Sequence, residues 1–186
     1  MPAPIESRQT LADSLAAAGF WESLPSSTQA ARQTAFIEGE RLDLTVKELG
    51  WWADGEDLAE GEIETMLSSM AEVLATRGVV LQIETLESPH AQGSGGYAIR
   101  INGIDLDLYR YDPNSELLPL SDDPWMDCTL LPLARVNQLL EAAGSPDRAI
   151  VFRPGANDGL VLLVTPDLIE IIQANRGWFD EIAVPI

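Results

Sequence analysis

Few side chains in this sequence have the chemistry of a nucleophilic catalyst. His90 is the single histidine and Cys128 the single cysteine, so a Ser-His-Asp or Cys-His device would have to use His90 as its base. No Gly-x-Ser-x-Gly segment or other local signature accompanies either residue. One His and one Cys are also too few for a conventional zinc site. We therefore predict no catalytic residue, and we place His90 in a solvated loop.

Two groups of carboxylates have spacings that merit a metal hypothesis. Asp105 and Asp107 alternate on a predicted strand, so both project to one side about 7 Å apart. The alternative is a solvated strand face on which Arg100 lies opposite Asp105. The second group, Asp122, Asp123 and Asp127, surrounds a tryptophan but lacks the central glycine and terminal glutamate of a calcium-binding loop. We predict no metal site in either group.

A glycine-rich stretch, residues 93–96, precedes a predicted strand. Phosphate-binding loops instead follow a strand and open a helix, so this context does not favour a nucleotide site. The sequence accordingly predicts no cofactor.

The charge balance narrows the classes of partner. Thirty Asp and Glu residues against eleven Lys and Arg give a net charge of −19. Such a surface repels nucleic acid and anionic membranes and attracts basic proteins. The alternative is that the acidity only keeps the protein in solution. One cysteine, no apparent signal peptide and no apolar run of about 20 residues predict a cytoplasmic protein.

The elements that position these residues centre on a hairpin. Asn102-Gly103 between two alternating runs predicts a two-residue type I′ turn. This turn pairs Ile101 with Ile104 and, further along, Tyr97 with Leu108, all on a core face. The opposite face then carries Arg100 against Asp105 and Ala98 against Asp107, and it continues to Tyr109 and Tyr111.

Helix signals occupy much of the remaining chain. Capping residues, glycine stops and apolar periodicity predict six helices. They run from Ser7 to about Ala18, from Ser26 to Glu38, from Thr45 through Trp51 and Trp52, over 60–77, from Leu133 to Ala143, and from Thr165 onward. The segment 113–128 is expected to be irregular.

Hairpin connections dominate the strand pattern, with a three-stranded meander over 79–111 and a hairpin over 149–164. The fold class expected is α+β, with a single mainly antiparallel sheet of about five strands packed by amphipathic helices. The nearly continuous apolar runs of the second hairpin predict strands covered on both faces. We expect one domain over 1–186, with a helical N-terminal half (1–78) and a sheet-plus-helix C-terminal half (79–186).

The functional hypothesis is a non-enzymatic acidic binding protein that neutralises a basic protein, as an immunity or inhibitor protein for a nuclease-like toxin does. Aromatic residues among acids suit such a partner. The predicted partner-binding residues are Asp105, Asp107, Tyr109, Tyr111, Asp112, Glu116, Asp122, Asp123, Trp125 and Asp127. Two alternatives remain open: a carboxylate-based enzyme or binder of metals or small molecules, and an accessory subunit of a larger complex. The oligomeric state is not predicted.

Overall fold

The computed structural model describes residues 7–22, 26–38, 50–89, 95–110, 122–175, 179 and 182–183, which build alternating layers of sheet and helix. The helices are α1 (Arg8–Ala17), α2 (Ser26–Glu38), α3 (Gly55–Asp57), α4 (Ile63–Thr76), α5 (Pro124–Ala142) and α6 (Pro166–Ala174). The strands are β1 (Trp51–Trp52), β2 (Ile83–Glu87), β3 (Gly96–Ile101), β4 (Ile104–Arg110), β5 (Arg148–Phe152), β6 (Leu160–Val164) and β7 (Ile182–Ala183). A π-helical segment, Leu58–Glu62, joins α3 to α4 and is kinked at Gly61.

The strands form two antiparallel sheets, so the α+β class is confirmed and the single five-stranded sheet is wrong. One sheet has the order β1-β6-β5-β7 and the other the order β2-β3-β4. Helices α4 and α5 lie between them, because α5 contacts both β4 and β5 while α4 contacts both β1 and β2. A helical layer in this position keeps the two hairpins from hydrogen bonding to each other.

The hairpin formed by β3 and β4 turns at Asn102 and Gly103, whose φ angles of 47° and 78° confirm the type I′ turn. Ile101 pairs with Ile104 and Arg100 with Asp105, as predicted. The register then shifts between Tyr97 and Ala98, so that Tyr97 pairs with Tyr109 and not with Leu108. Leu108 is therefore the extra residue of a β-bulge, and beyond it the inward and outward positions of β4 exchange.

Strands β5 and β6 are covered on both faces, which confirms the prediction from their apolar runs. Ile150 and Phe152 join a cluster with residues of α1 and α6. Ala149 and Val151 face the other way, into the core shared with α4 and α5. Asn137 of α5 holds this layer to the sheet, because its amide donates to the Ala149 carbonyl at 3.0 Å and accepts from the Ala149 N–H at 2.7 Å.

The helix predictions are partly confirmed. Ser7 caps α1, with its hydroxyl accepting from the Thr10 N–H, and α2 has the predicted bounds. Helix α5 begins at Pro124, nine residues before the predicted start, with Asp123 as its N-cap. The residues from 124 onward are therefore helical and not irregular. No helix in the described ranges is long and apolar enough to cross a membrane.

The placement of Trp51 and Trp52 in a helix is wrong, since both lie in β1. They pair with Val161 and Leu160, and the Trp51 indole N–H donates to the Ser69 carbonyl of α4 at 3.0 Å. A Cβ on the preceding Gly50 would lie 2.4 Å from the Val161 carbonyl oxygen. Backbone pairing with β6 thus overrides the local helical signal, whose start at Thr45 lies outside the described residues.

Candidate functional site

The outer face of the β2-β3-β4 sheet carries paired charges. Arg100 contacts Glu84 at 2.9 Å through Nη1 and Asp105 at 2.6 Å through Nε. Its Nη2 also donates to the second oxygen of Asp105 at 3.2 Å. The hydrogen bonds and charge of the guanidinium hold the pKa of Asp105 below its usual value, and they raise the pKa of Arg100.

A second arginine on the same face also pairs with two acids. Arg110 forms ion pairs with Glu87 and Asp107. Asp105 and Asp107, the two carboxylates considered as metal ligands on this strand, therefore each form an ion pair with an arginine. Within the described part of the chain, no three His, Cys, Asp or Glu side chains come together to hold a metal. Each of the four acids on this face therefore forms an ion pair, and the two arginines offset half of their charge.

Tyr109 is not on the outer face, and its predicted outward orientation is wrong. Its side chain is 7% exposed, and its hydroxyl donates to the Ala59 carbonyl at 2.9 Å. Its ring contacts that of Tyr97 edge-on, with centroids 6.0 Å apart. The bulge at Leu108 causes this reversal, because it brings Tyr109 to the core side and Arg110 to the outer side.

The second predicted group lies at the start of α5. Asp122 and Asp123 are exposed, Asp127 is partly exposed, and Trp125 is 38% exposed. Asp123 accepts from the Met126 N–H at 3.0 Å and so orders the first turn. The other predicted residues, Tyr111, Asp112 and Glu116, lie outside the described residues, as does His90.

A further set of acids lies on the segment before α4, which packs against α5. A Cβ on Gly55 would lie 2.8 Å from the backbone of Gly155, and one on Gly155 would lie 3.2 Å from the Met126 N. The Asn157 amide donates to Glu56 at 3.1 Å. The segment leading into α4 and the first turn of α5 therefore meet on the 153–159 loop. We call the resulting surface the acidic arc: Glu56, Asp57, Glu60, Glu62, Glu64, Asp122, Asp123, Trp125 and Asp127.

The predicted helix over 60–77 includes Glu60, Glu62 and Glu64, but the predicted partner-binding residues do not. The contact with the start of α5 joins segments more than 60 residues apart in the sequence. The run of acids over 56–64 was the one available signal. In the described ranges, Asp57, Glu60, Glu62, Glu64 and Asp122 form no ion pair and no side-chain hydrogen bond. Unlike the acids of the sheet face, these five acids have no cationic partner among the described residues.

Two buried polar groups lie beneath this region. Burial, with a smaller contribution from the charge of Asp127, raises the pKa of the Cys128 thiol to about 12. The Tyr97 ring is fully buried, its hydroxyl has no hydrogen-bond partner of normal geometry among the described residues, and burial raises its pKa. A nucleophilic cysteine must be a thiolate, so Cys128 is held in the unreactive form at neutral pH.

Comparison with known proteins adds no family or fold relative. No family model, curated protein or solved structure matches this chain.

Proposed function

We propose that this chain is a non-enzymatic acidic binding protein that neutralises a basic protein, in the cytoplasm and in the manner of an immunity or inhibitor protein for a nuclease-like toxin. The observation that supports it most directly is the acidic arc, where five carboxylates have no cation within the described residues. A partner rich in Arg and Lys would supply those cations.

The expected mechanism is association steered by charge and completed by an aromatic anchor. A net charge of −19 accelerates encounter with a basic protein. Trp125 then offers a large apolar side chain among the acids, and such residues are enriched among those that dominate binding energy. The sheet face contributes less, because Arg100 and Arg110 already pair with its acids.

Two matched variants test whether binding depends on the acidic arc or on net charge alone. The arc variant combines Asp57→Asn, Glu60→Gln, Glu62→Gln and Glu64→Gln. The sheet variant combines Glu84→Gln, Glu87→Gln, Asp105→Asn and Asp107→Asn. Each removes four negative charges and takes the net charge from −19 to −15.

The native chain and both variants are immobilised, partners are captured at low salt, and bound proteins are identified by mass spectrometry. We expect a basic protein that high salt releases and that the arc variant binds about tenfold more slowly, while the sheet variant stays near the native rate. Capture of no basic protein, or equal losses in the two variants, would contradict the proposal.

A further inference from the structure

A cavity of about 570 Å³ lies at the opposite end of α4 from the acidic arc. It is bounded by the turn after α1, the last turns of α4, and the β1–β6 edge of the four-stranded sheet. A 14-residue helix such as α4 spans about 20 Å, so the two sites are well separated. The volume is in the range of pockets that take small organic ligands.

The walls are mainly apolar. Phe20, Trp51, Val73, Val164 and Leu168 contribute aromatic and aliphatic surface. The Trp51 indole is held in place by its hydrogen bond to the Ser69 carbonyl of α4, and Trp51 packs against the core that α4 and α5 share with the sheet. An apolar ligand body would therefore enter a preformed cavity.

Three ionisable side chains line the same cavity: Glu22, Arg77 and Asp147. Arg77 already has partners within the chain, because its Nε donates to Asp147 at 2.9 Å and its Nη1 donates to the Thr76 hydroxyl at 2.6 Å. Asp147 is largely buried, with a side chain 13% exposed, so the two charges offset each other locally.

Glu22 is different, because it is exposed and forms no ion pair or side-chain hydrogen bond within the described ranges. Its carboxyl lies against Gly19, where an added Cβ would be 3.3 Å from Glu22 Cδ. Gly19 and Phe20 also line the cavity. A carboxylate with no cationic partner among the described residues therefore lies at the rim of an apolar pocket, in a protein of net charge −19.

We propose that this cavity binds a small amphipathic cation, with its apolar body against Phe20, Trp51 and Leu168 and its ammonium or guanidinium group beside Glu22. This site is independent of the acidic arc and of the proposed protein partner. It uses the apolar volume for affinity and one charged contact for selection of the head group.

Three probes that share one apolar body test the charge preference. 2-Naphthylmethylamine, 2-naphthalenemethanol and 2-naphthoic acid are titrated into the full chain by isothermal titration calorimetry. We expect the amine to bind about tenfold more tightly than the alcohol, since hydrogen bonds to a charged group are the stronger kind. We expect the acid to bind most weakly. Failure of all three to bind, or tightest binding of the acid, which would indicate Arg77 as the recognition group, overturns the proposal.

Paired variants test the position of the site. Glu22→Gln should reduce amine affinity to that of the alcohol, while Glu60→Gln, the same change of net charge in the acidic arc, should leave it unchanged. Val73→Trp should weaken all three probes by filling the cavity, and Ser68→Trp, at an exposed position of the same helix, should not. Equal effects of Glu22→Gln and Glu60→Gln would mean attraction to net charge alone and would refute the site.

Discussion

Two regions of this molecule carry dense carboxylates, and they differ in what stabilises them. On the outer face of the β2-β3-β4 sheet, four acids surround Arg100 and Arg110. In the acidic arc, five acids form no ion pair in the part of the chain that the structure describes. The amino-acid composition alone does not distinguish the two sets of acids. The first set is paired with arginines of the same chain, and the second set has no such pairing within the described residues.

Helix N-termini help to stabilise part of the acidic arc. Glu56 and Asp57 lie in the first turn of α3, Glu64 in that of α4, and Asp127 in that of α5. The N-terminal ends of helices carry partial positive charge, so acids there are stabilised. In the sheet, strands have only small net dipoles, and neighbouring arginines offset the acids instead.

The largest expected effect is a loss of stability when the close contact between Gly55 and Gly155, which helps to assemble the acidic arc, is disrupted. Gly55→Ala places a Cβ against the Gly155 backbone at 2.8 Å, and overpacking at such a contact should cost about 3 kcal/mol of unfolding free energy. Gly95→Ala is the matched control, since there the nearest atom is the mobile end of Glu87 at 3.3 Å. Urea denaturation measures both, and equal stability of the two variants would contradict the packing described.

Next in size is the effect of removing the aromatic anchor. Trp125→Ala should weaken binding of the captured basic partner by about 2 kcal/mol, roughly 30-fold in Kd. Trp52→Ala is the control, because Trp52 is more exposed, at 49%, yet lies on the edge strand β1. Surface plasmon resonance compares them, and equal losses would argue against the acidic arc as the docking surface.

Substitutions at two tyrosines test the contact between strand β4 and the segment before α4, which carries part of the acidic arc. Tyr109→Phe removes the hydroxyl that donates to the Ala59 carbonyl, and the loss of this buried hydrogen bond should cost about 1 kcal/mol of unfolding free energy. Tyr97→Phe should cost less or be neutral, because its buried hydroxyl has no hydrogen-bond partner of normal geometry among the described residues. Thermal denaturation of both variants reads out the difference, and the reverse order of stability would refute this assignment.

The smallest expected effect is a pH dependence on the sheet face. Arg100 lowers the pKa of Asp105, so this carboxylate contributes stability above its unfolded pKa of about 3.9. That contribution is lost as the pH falls through the lowered folded pKa. Asp105→Asn should therefore lower Tm slightly at pH 7 and converge with the native protein in acid.

Asp122→Asn serves as the control for that measurement, because Asp122 forms no ion pair in the described ranges. Its Tm should stay near the native value at pH 7. A Tm difference for Asp105→Asn that persisted in acid would show that the pair with Arg100 is not its source.

Features that depend on adjacent residues were predictable from the sequence. The turn at Asn102 and Gly103, the cap at Ser7 and the bounds of α2 follow from local φ preferences and from side-chain contacts with nearby backbone. Asp123 followed by Pro124 was an equally local signal for the start of α5. An N-cap followed by proline marks a helix start, so the irregular segment predicted there was wrong for a reason that is local to these two residues.

Other features required the tertiary structure. The bulge at Leu108 shifts the register by one residue, and this shift determines which side of the sheet Tyr109 occupies. Trp51 and Trp52 form a strand because they pair with the backbone of β6. The two sheets were separated by α4 and α5, which bury side chains toward both.

The sequence by itself determined the local elements, the excess of carboxylates and the polar and apolar sides of each segment, because these properties need no distant contact. The tertiary structure decided which carboxylates meet an arginine and which gather without one. Charge pairing across strands and between helix ends depends on register and packing over tens of residues, and no local pattern encodes either.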